Sequence, residues 1–264
     1  MLSHLGVVAL IVAMIVAGVW QIDRHQTRGD RNDTIRARVA EDAVPLGAVA
    51  TIDSDADIGE REQFRRVSVQ GVYQFNDEVL VRNRTFDGAP GFWVLTPLLQ
   101  DDGTAAIVNR GWIPLAFGDD SVRAETAPPT GAVHVVGSLQ PARKAEGLQQ
   151  ADPATGQLTS LARPDVLRLA QQLDYPVVPL VVRLEATPTA EVAEFPTPLP
   201  LPALDAGPHA SYAAQWFIFT TIAVVGYPLV LRRVRRGEAG SLPDDLPEPL
   251  RNEANDRQGS KAGG

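Results

Sequence analysis

A histidine stands at the start of a segment that is long and apolar enough to cross a membrane. Residues 210–231 contain no charged side chain, and as a helix they would reach roughly 33 Å, against about 30 Å for the hydrocarbon core. The helical period places further side chains on the same stripe as His209, namely Tyr212, Ala213, Trp216 and Thr220. Because neutral imidazole is a common metal ligand, a histidine above aromatic rings at a membrane interface is a candidate binding site.

Two interpretations of this stripe are open on the residues alone. Tyr212 and Trp216 are typical of the aromatic belt at a membrane interface, and His209 could then simply end the helix. In the second interpretation His209 binds a ligand, since the positive end of the helix dipole disfavours the protonated ring and leaves a nitrogen lone pair available. The small side chain of Ala213 would then let a flat ligand approach the helix backbone.

The N-terminal segment, residues 1–22, is also apolar and long enough to span a membrane. It has no basic leading region and no clean small-residue cleavage motif, which favours an uncleaved anchor over a signal peptide. Arginines follow both segments: Arg24, Arg28 and Arg31 after the first, and Arg232, Arg233, Arg235 and Arg236 after the second. The second cluster is denser, so the positive-inside rule predicts a multi-pass protein with both termini in the cytoplasm and His209 at the outer interface.

Residues 23–208 are predicted to form an extracytoplasmic, mostly-β domain. Strand-like segments rich in Val, Ile, Phe and Tyr alternate apolar and polar residues at 65–75, 78–84, 92–99, 105–114, 132–139 and 177–185. The period of 164–173 predicts a helix, and 34–44 could form a short helix after the first span.

Two segments of different composition complete the chain. The proline-rich residues 187–208 are typical of an extended connector, and the polar residues 232–264 of a disordered cytoplasmic tail. The predicted fold class is therefore a membrane protein in which two transmembrane α-helices, 1–22 and 209–231, flank a mostly-β (α+β) extracytoplasmic domain.

Composition narrows the classes of function. The chain has no cysteine, which excludes disulfides, zinc–thiolate sites and iron–sulfur clusters. A net charge of -8 argues against a nucleic-acid partner. No familiar catalytic motif occurs, so we expect no enzymatic activity, and a membrane-anchored hydrolase is the remaining enzymatic alternative. Nearly all basic residues are arginine, which is typical of GC-rich bacterial genomes, and we expect the plasma membrane of a bacterium.

Three stretches together resemble the Surfeit locus 1 family. The first is GVWQIDR at 18–24, and the third is PHASYAAQWF at 208–217. The second is a block of four motifs: GVY at 71–73, VRNR at 81–84, GFWVLTPL at 91–98 and VNRGWIP at 108–114. They occur in the order and the membrane context that the family shows. One departure is Gly207, because family members usually have Asn before the Pro-His step.

The resemblance implies a function and a ligand. The family consists of membrane proteins that assist the assembly of cytochrome c oxidase and deliver haem a to oxidase subunit I. It favours His209 as the ligand of the haem iron of a transiently held haem a, and the helical stripe would place Tyr212 and Trp216 beside that haem. Subunit I and the membrane are then the expected partners, and haem a synthase is a further candidate. A haem-free membrane scaffold for oxidase assembly is the alternative.

The arginines of the strand segments are candidates for binding haem propionates, because guanidinium binds carboxylate in a bidentate way. Arg110, at a strand end before Trp112, is the favoured residue, and Arg82 and Arg84 could equally be ordinary exposed strand arginines. His25 could be a second axial ligand, whereas His134, within a strand, is expected to be structural.

Overall fold

The structure, a computed structural model, describes residues 2–118, 123–143, 152–185 and 195–238. The chain divides into two compact units, Met1–Asp30 with Asp205–Gly264, and Arg31–Leu204. We call the described part of the first unit the helix pair and that of the second the strand domain. Two apolar helices, one on each side of a β-rich domain in the chain, confirm the predicted fold class.

Helices α1 (Leu2–Ala40) and α4 (His209–Glu238) are long and apolar enough to cross a membrane. Each continues beyond the apolar segment that predicted it, because the arginines and other helix-forming residues that follow sustain the helix. α1 contains no proline and runs unbroken to Ala40, so the separate short helix predicted at 34–44 is wrong.

The strand domain forms one sheet from β1 (Val44–Pro45), β2 (Arg66–Tyr73), β3 (Val79–Phe86), β4 (Ala89–Leu99), β5 (Ala105–Pro114), β6 (Ala132–Pro141), β7 (Ser160–Leu161) and β8 (Val177–Leu184). The strand order is β1-β2-β6-β8-β5-β4-β3-β7. An additional antiparallel pairing joins β2 to β4, with Val72 opposite Leu99. The sheet is therefore barrel-like, since β2, β6, β8, β5 and β4 form a closed ring of paired strands.

Apolar clusters form on both faces of this sheet. Because side chains alternate along a strand, β5 sends Ala106 and Val108 into one cluster and Ile107 into another. Two short helices, α2 (Ile58–Arg61) and α3 (Val166–Ala170), each bury apolar side chains in one of these clusters. β5 is consequently buried on both faces, from Ala105 to Ile113.

The predicted elements are present with some shifts of boundary. The strand predicted at 105–114 begins and ends at those residues in the structure. The helix predicted at 164–173 is shorter, because the Asp165 carboxylate caps its start by accepting a hydrogen bond from the Arg168 amide. In the predicted connector, Thr197 exchanges two backbone hydrogen bonds with Trp112. Parts of the predicted connector and tail, 186–194 and 239–264, lie outside the described residues, as do residues 119–122 and 144–151.

Candidate functional site

In the helix pair, one face of α1 packs against one face of α4. The face on α4 consists of one buried small residue and three half-buried side chains: Ala213, His209, Trp216 and Thr220. The face on α1 repeats the same three- and four-residue spacing: Met14, Gly18, Gln21 and His25. Gly18 permits the close approach, because a Cβ there would lie 2.9 Å from the ring of Phe217.

His209 lies in this interface with its two ring nitrogens in different surroundings. Nδ1 is 2.8 Å from Oε1 of Gln21 on α1. An amide oxygen can only accept, so this contact places the proton on Nδ1 and the lone pair on Nε2. Nε2 is closed off from solvent and has no hydrogen-bond partner. Metal-ligating histidines use this arrangement, in which a hydrogen bond at one nitrogen fixes the tautomer and orients the other.

Basic side chains of α1 lie near the His209 ring. Arg24, Arg28 and His25 are close enough to interact with it electrostatically, and Nδ1 of His25 is buried without a partner. Arg28 is 3.8 Å from Asp205, and the two side chains are 44% and 70% exposed, so this ion pair holds the guanidinium weakly. Two guanidiniums near one imidazole can receive the carboxylates of a ligand that the imidazole binds.

Gly207 shapes the start of α4. Its φ of +66° is in the left-handed region, which glycine and asparagine adopt most readily. The next residue, Pro208, accepts the first helical hydrogen bond, from the Tyr212 amide at 3.1 Å. Gly207 therefore fits the position where the family usually has Asn. A Cβ at 207 would lie 2.7 Å from Nη1 of Arg28, so glycine also allows this guanidinium to lie close to the backbone before His209.

The two predicted aromatic residues occupy different positions on α4. Trp216 is half-buried on the same face as His209, with its ring edge-on to Phe219 at 6.4 Å. Tyr212 is 49% exposed and lies at the border of that face. The structure thus aligns Trp216 with the imidazole and turns Tyr212 outward.

Arg110 belongs to the strand domain and is buried there, at 6% exposure. Its Nη1 donates to Oε2 of Glu78 at 2.9 Å, and its Nη2 donates to the carbonyl of Thr126 at 2.7 Å. The hydroxyl of Thr96 donates to the same carboxylate oxygen, and the ring of Tyr73 lies 5.7 Å from the guanidinium. Burial raises the pKa of Tyr73 to about 12. This geometry favours a structural role for Arg110, because its Nη1 and Nη2 groups donate to acceptors inside the domain.

The other strand candidates differ from Arg110. Arg82 is paired with Asp152 at 2.6 Å. Arg84 stacks on Trp93, with its Cζ 4.5 Å from the ring centroid. His134 is exposed on β6. Sequence reasoning did not connect Gln21, Arg24 or Arg28 with His209, although GVWQIDR was one of its motifs.

Comparison with known proteins places the chain in a family. The model of the SURF1 family matches residues 8–221, which is most of the sequence. The chain belongs to the SURF1 family. It is 28% identical to a SURF1-like protein of Mycobacterium tuberculosis over 255 residues, covering 93% of this chain and 89% of that protein. It is 26% identical to the cytochrome oxidase assembly protein SHY1 of Saccharomyces cerevisiae over 147 residues, covering 54% and 37% of the two chains.

The motifs of this SURF1 protein divide between the two units. Those of the helix pair supply Gln21 and His209, whereas glycines of the strand-domain motifs maintain close backbone packing. A Cβ at Gly91 would lie 2.6 Å from the indole of Trp112. Gly111 has a φ of +138°, and a Cβ there would lie 2.3 Å from the carbonyl oxygen of Thr197. The candidate chemistry is therefore in the helix pair.

Proposed function

We propose that this protein assists the assembly of cytochrome c oxidase by binding haem a transiently through His209 and passing it to oxidase subunit I. Membership of the SURF1 family and the name of the yeast relative support the assembly role. The haem-binding part is carried by one observation, an imidazole whose Nδ1 is held by Gln21 while its buried Nε2 has no partner.

A single histidine suits haem iron better than a bare metal ion. Among the residues that the structure describes, no group of three or more His, Cys, Asp or Glu side chains could hold a metal ion. A porphyrin supplies four nitrogen ligands itself, so one protein imidazole is sufficient to hold the iron. The lone pair on Nε2 of His209 is the group that meets this requirement.

The neighbours of His209 have separate roles in this proposal. Gln21 fixes the tautomer and the ring orientation. Arg24 and Arg28 bind propionates, and Trp216 packs beside the ring system. Haem a would supply the iron, two carboxylates and a farnesyl tail that the lipid accommodates. The positive-inside rule disfavours arginines after the first span on the outer side of the membrane. Binding of the propionates would account for Arg24 and Arg28 at this position.

Release requires that the site is held together loosely. Nε2 of His209 is closed off from solvent in the structure, so the packing around the ring must open before this nitrogen can bind iron. Left-handed Gly207, two residues before His209, can change conformation without steric cost. A ligand admitted by a small shift of this kind can also leave.

The proposal requires His209 at the outer face of a bacterial plasma membrane, with both termini in the cytoplasm. The arginines at the end of α4 support this orientation. Oxidase subunit I is the proposed recipient of haem a, and haem a synthase is the proposed donor.

The absorption spectrum of the full chain, produced alongside haem a synthesis and purified in detergent, tests the proposal. We expect His209→Ala to lose the haem spectrum at normal protein level, because an imidazole at the end of a helix contributes little to packing. Tyr212→Phe is the matched control on the next helical turn and should retain haem. His25→Ala should leave the spectrum unchanged, or shift it if both histidines bind the iron. Full haem occupancy in His209→Ala would instead favour the haem-free scaffold.

A further inference from the structure

A cleft of about 340 Å³ in the strand domain is lined by four arginines, Arg31, Arg84, Arg143 and Arg163. They come from α1, from β3 and from the segments that follow β6 and β7. Trp93 and Phe64 form apolar parts of the wall, and no Asp or Glu of the described chain lines it. Positive charges that converge without a carboxylate repel one another. This cleft therefore favours a bound anion, which none of the described lining residues supplies.

Arg84 is the most constrained of these cations. Its guanidinium stacks on Trp93 at 4.5 Å, and its Nη2 donates to the carbonyl of Ala162 at 3.2 Å. Its Nε is buried without a hydrogen-bond partner. Burial, together with the charge of Arg163, lowers the pKa of Arg84. Stacking fixes the plane of the guanidinium, which leaves its remaining donors oriented for an anion.

Two of the other arginines, Arg143 and Arg163, have a weak ion pair or none among the residues that the structure describes. Arg143 is 3.4 Å from Glu60, and both side chains are more than half exposed, so the pair is weak. The amide of Arg143 donates to the carbonyl of Pro164 at 3.0 Å, which joins the segment carrying Arg143 to the one carrying Arg163. Arg163 makes no ion pair with any residue that the structure describes. The cleft therefore combines one rigid guanidinium with others that can adjust to a ligand.

The backbone of the cleft wall is strained at Phe64. This residue has a φ of +68°, which is rare for a bulky side chain. Its ring is 5% exposed, and its amide donates to the carbonyl of Leu139 at 2.8 Å. Strain of this kind persists where surrounding contacts impose it, and it concentrates at binding sites.

We propose that this cleft binds a phosphate group. A carboxylate is planar and can be satisfied by one guanidinium, whereas a tetrahedral phosphate accepts hydrogen bonds in several directions and carries more charge. Arginines from separate segments suit the second geometry, with Arg84 as the fixed donor and Arg163 and Arg143 completing the contact. The group can belong to a free phosphate compound or to the headgroup of an acidic phospholipid, and both sources offer the same oxygens.

Calorimetric titration of the full chain in a nonionic detergent tests this assignment. Inorganic phosphate is the first probe, phosphatidylglycerol added to the micelles is the second, and acetate is the comparison anion. Arg163→Gln should weaken binding about tenfold or more, the effect of losing one charged hydrogen bond. Arg143→Gln, in an exposed position, is a second variant that leaves the interior unchanged. Arg61→Gln, on α2 outside the cleft, is the matched control and should bind like wild type.

Each outcome decides the proposal. Phosphate binding that Arg163→Gln and Arg143→Gln weaken and Arg61→Gln does not would support it. Binding of phosphatidylglycerol with the same pattern, but not of phosphate, would support it with a lipid as the source. Absence of binding by either probe would overturn it. Equal losses in Arg61→Gln, or acetate binding as tight as that of phosphate, would also overturn it, because general surface charge or a simple carboxylate site would then explain the result.

Discussion

The buried pair of Arg110 and Glu78 gives the sharpest prediction about the strand domain. Arg110→Ala removes the guanidinium that lies 2.9 Å from the carboxylate of Glu78, which is 3% exposed. Breaking a buried ion pair on one side costs about 3–5 kcal/mol. For a domain of this size each kcal/mol lowers the melting temperature by about 2–4 °C, so we expect a decrease of roughly 6–20 °C.

The assay is thermal unfolding of the full chain in detergent, followed by circular dichroism and by tryptophan fluorescence. Arg61→Ala is the control, since Arg61 is exposed and pairs with Asp55 at the surface, and it should leave the transition unchanged. Replacing both Arg110 and Glu78 with leucine should be less damaging than replacing Arg110 alone with leucine, because the double variant removes the buried carboxylate together with the guanidinium.

A different result would refute the structural interpretation of Arg110. If Arg110→Ala unfolded at the wild-type temperature and yet lost bound haem, the guanidinium would be contacting a ligand rather than stabilising the domain. The original expectation that Arg110 binds a propionate would then be correct.

Three further outcomes are expected. Gly111→Ala should destabilise the strand domain by about 2–4 kcal/mol in chemical denaturation, because its Cβ would force Thr197 away and break the two backbone hydrogen bonds with Trp112; wild-type stability would contradict this packing. Gly18→Leu should separate α1 from α4 and lower haem content with little change in the unfolding of the strand domain, since the new side chain collides with Phe217; unchanged haem content would count against the helix interface. A periplasmic reporter fused at residue 120 should be active and one fused after Gly264 inactive, and the reverse pattern would place His209 in the cytoplasm.

The sequence predicted those features that depend on local pattern. The apolar length of the two spans and the alternation along 105–114 were sufficient to predict that α1, α4 and β5 exist, although both helices extend beyond the predicted spans. The role of Arg110 was not predictable in this way, because β5 is buried on both faces and alternation does not reveal that. The contact of Gln21 with His209 joins residues 188 positions apart. The periodicity within each helix does not predict which faces of two distant helices are in contact.

Rescue of a cavity variant by free imidazole tests the central claim most directly. In His209→Gly, produced alongside haem a synthesis, the side chain that supplies Nε2 is absent while Gln21, Arg24 and Arg28 remain. We predict that the purified variant lacks the haem absorption spectrum and that added imidazole restores haem binding. A His209→Gly protein that carries haem at the wild-type ratio without imidazole would contradict the account.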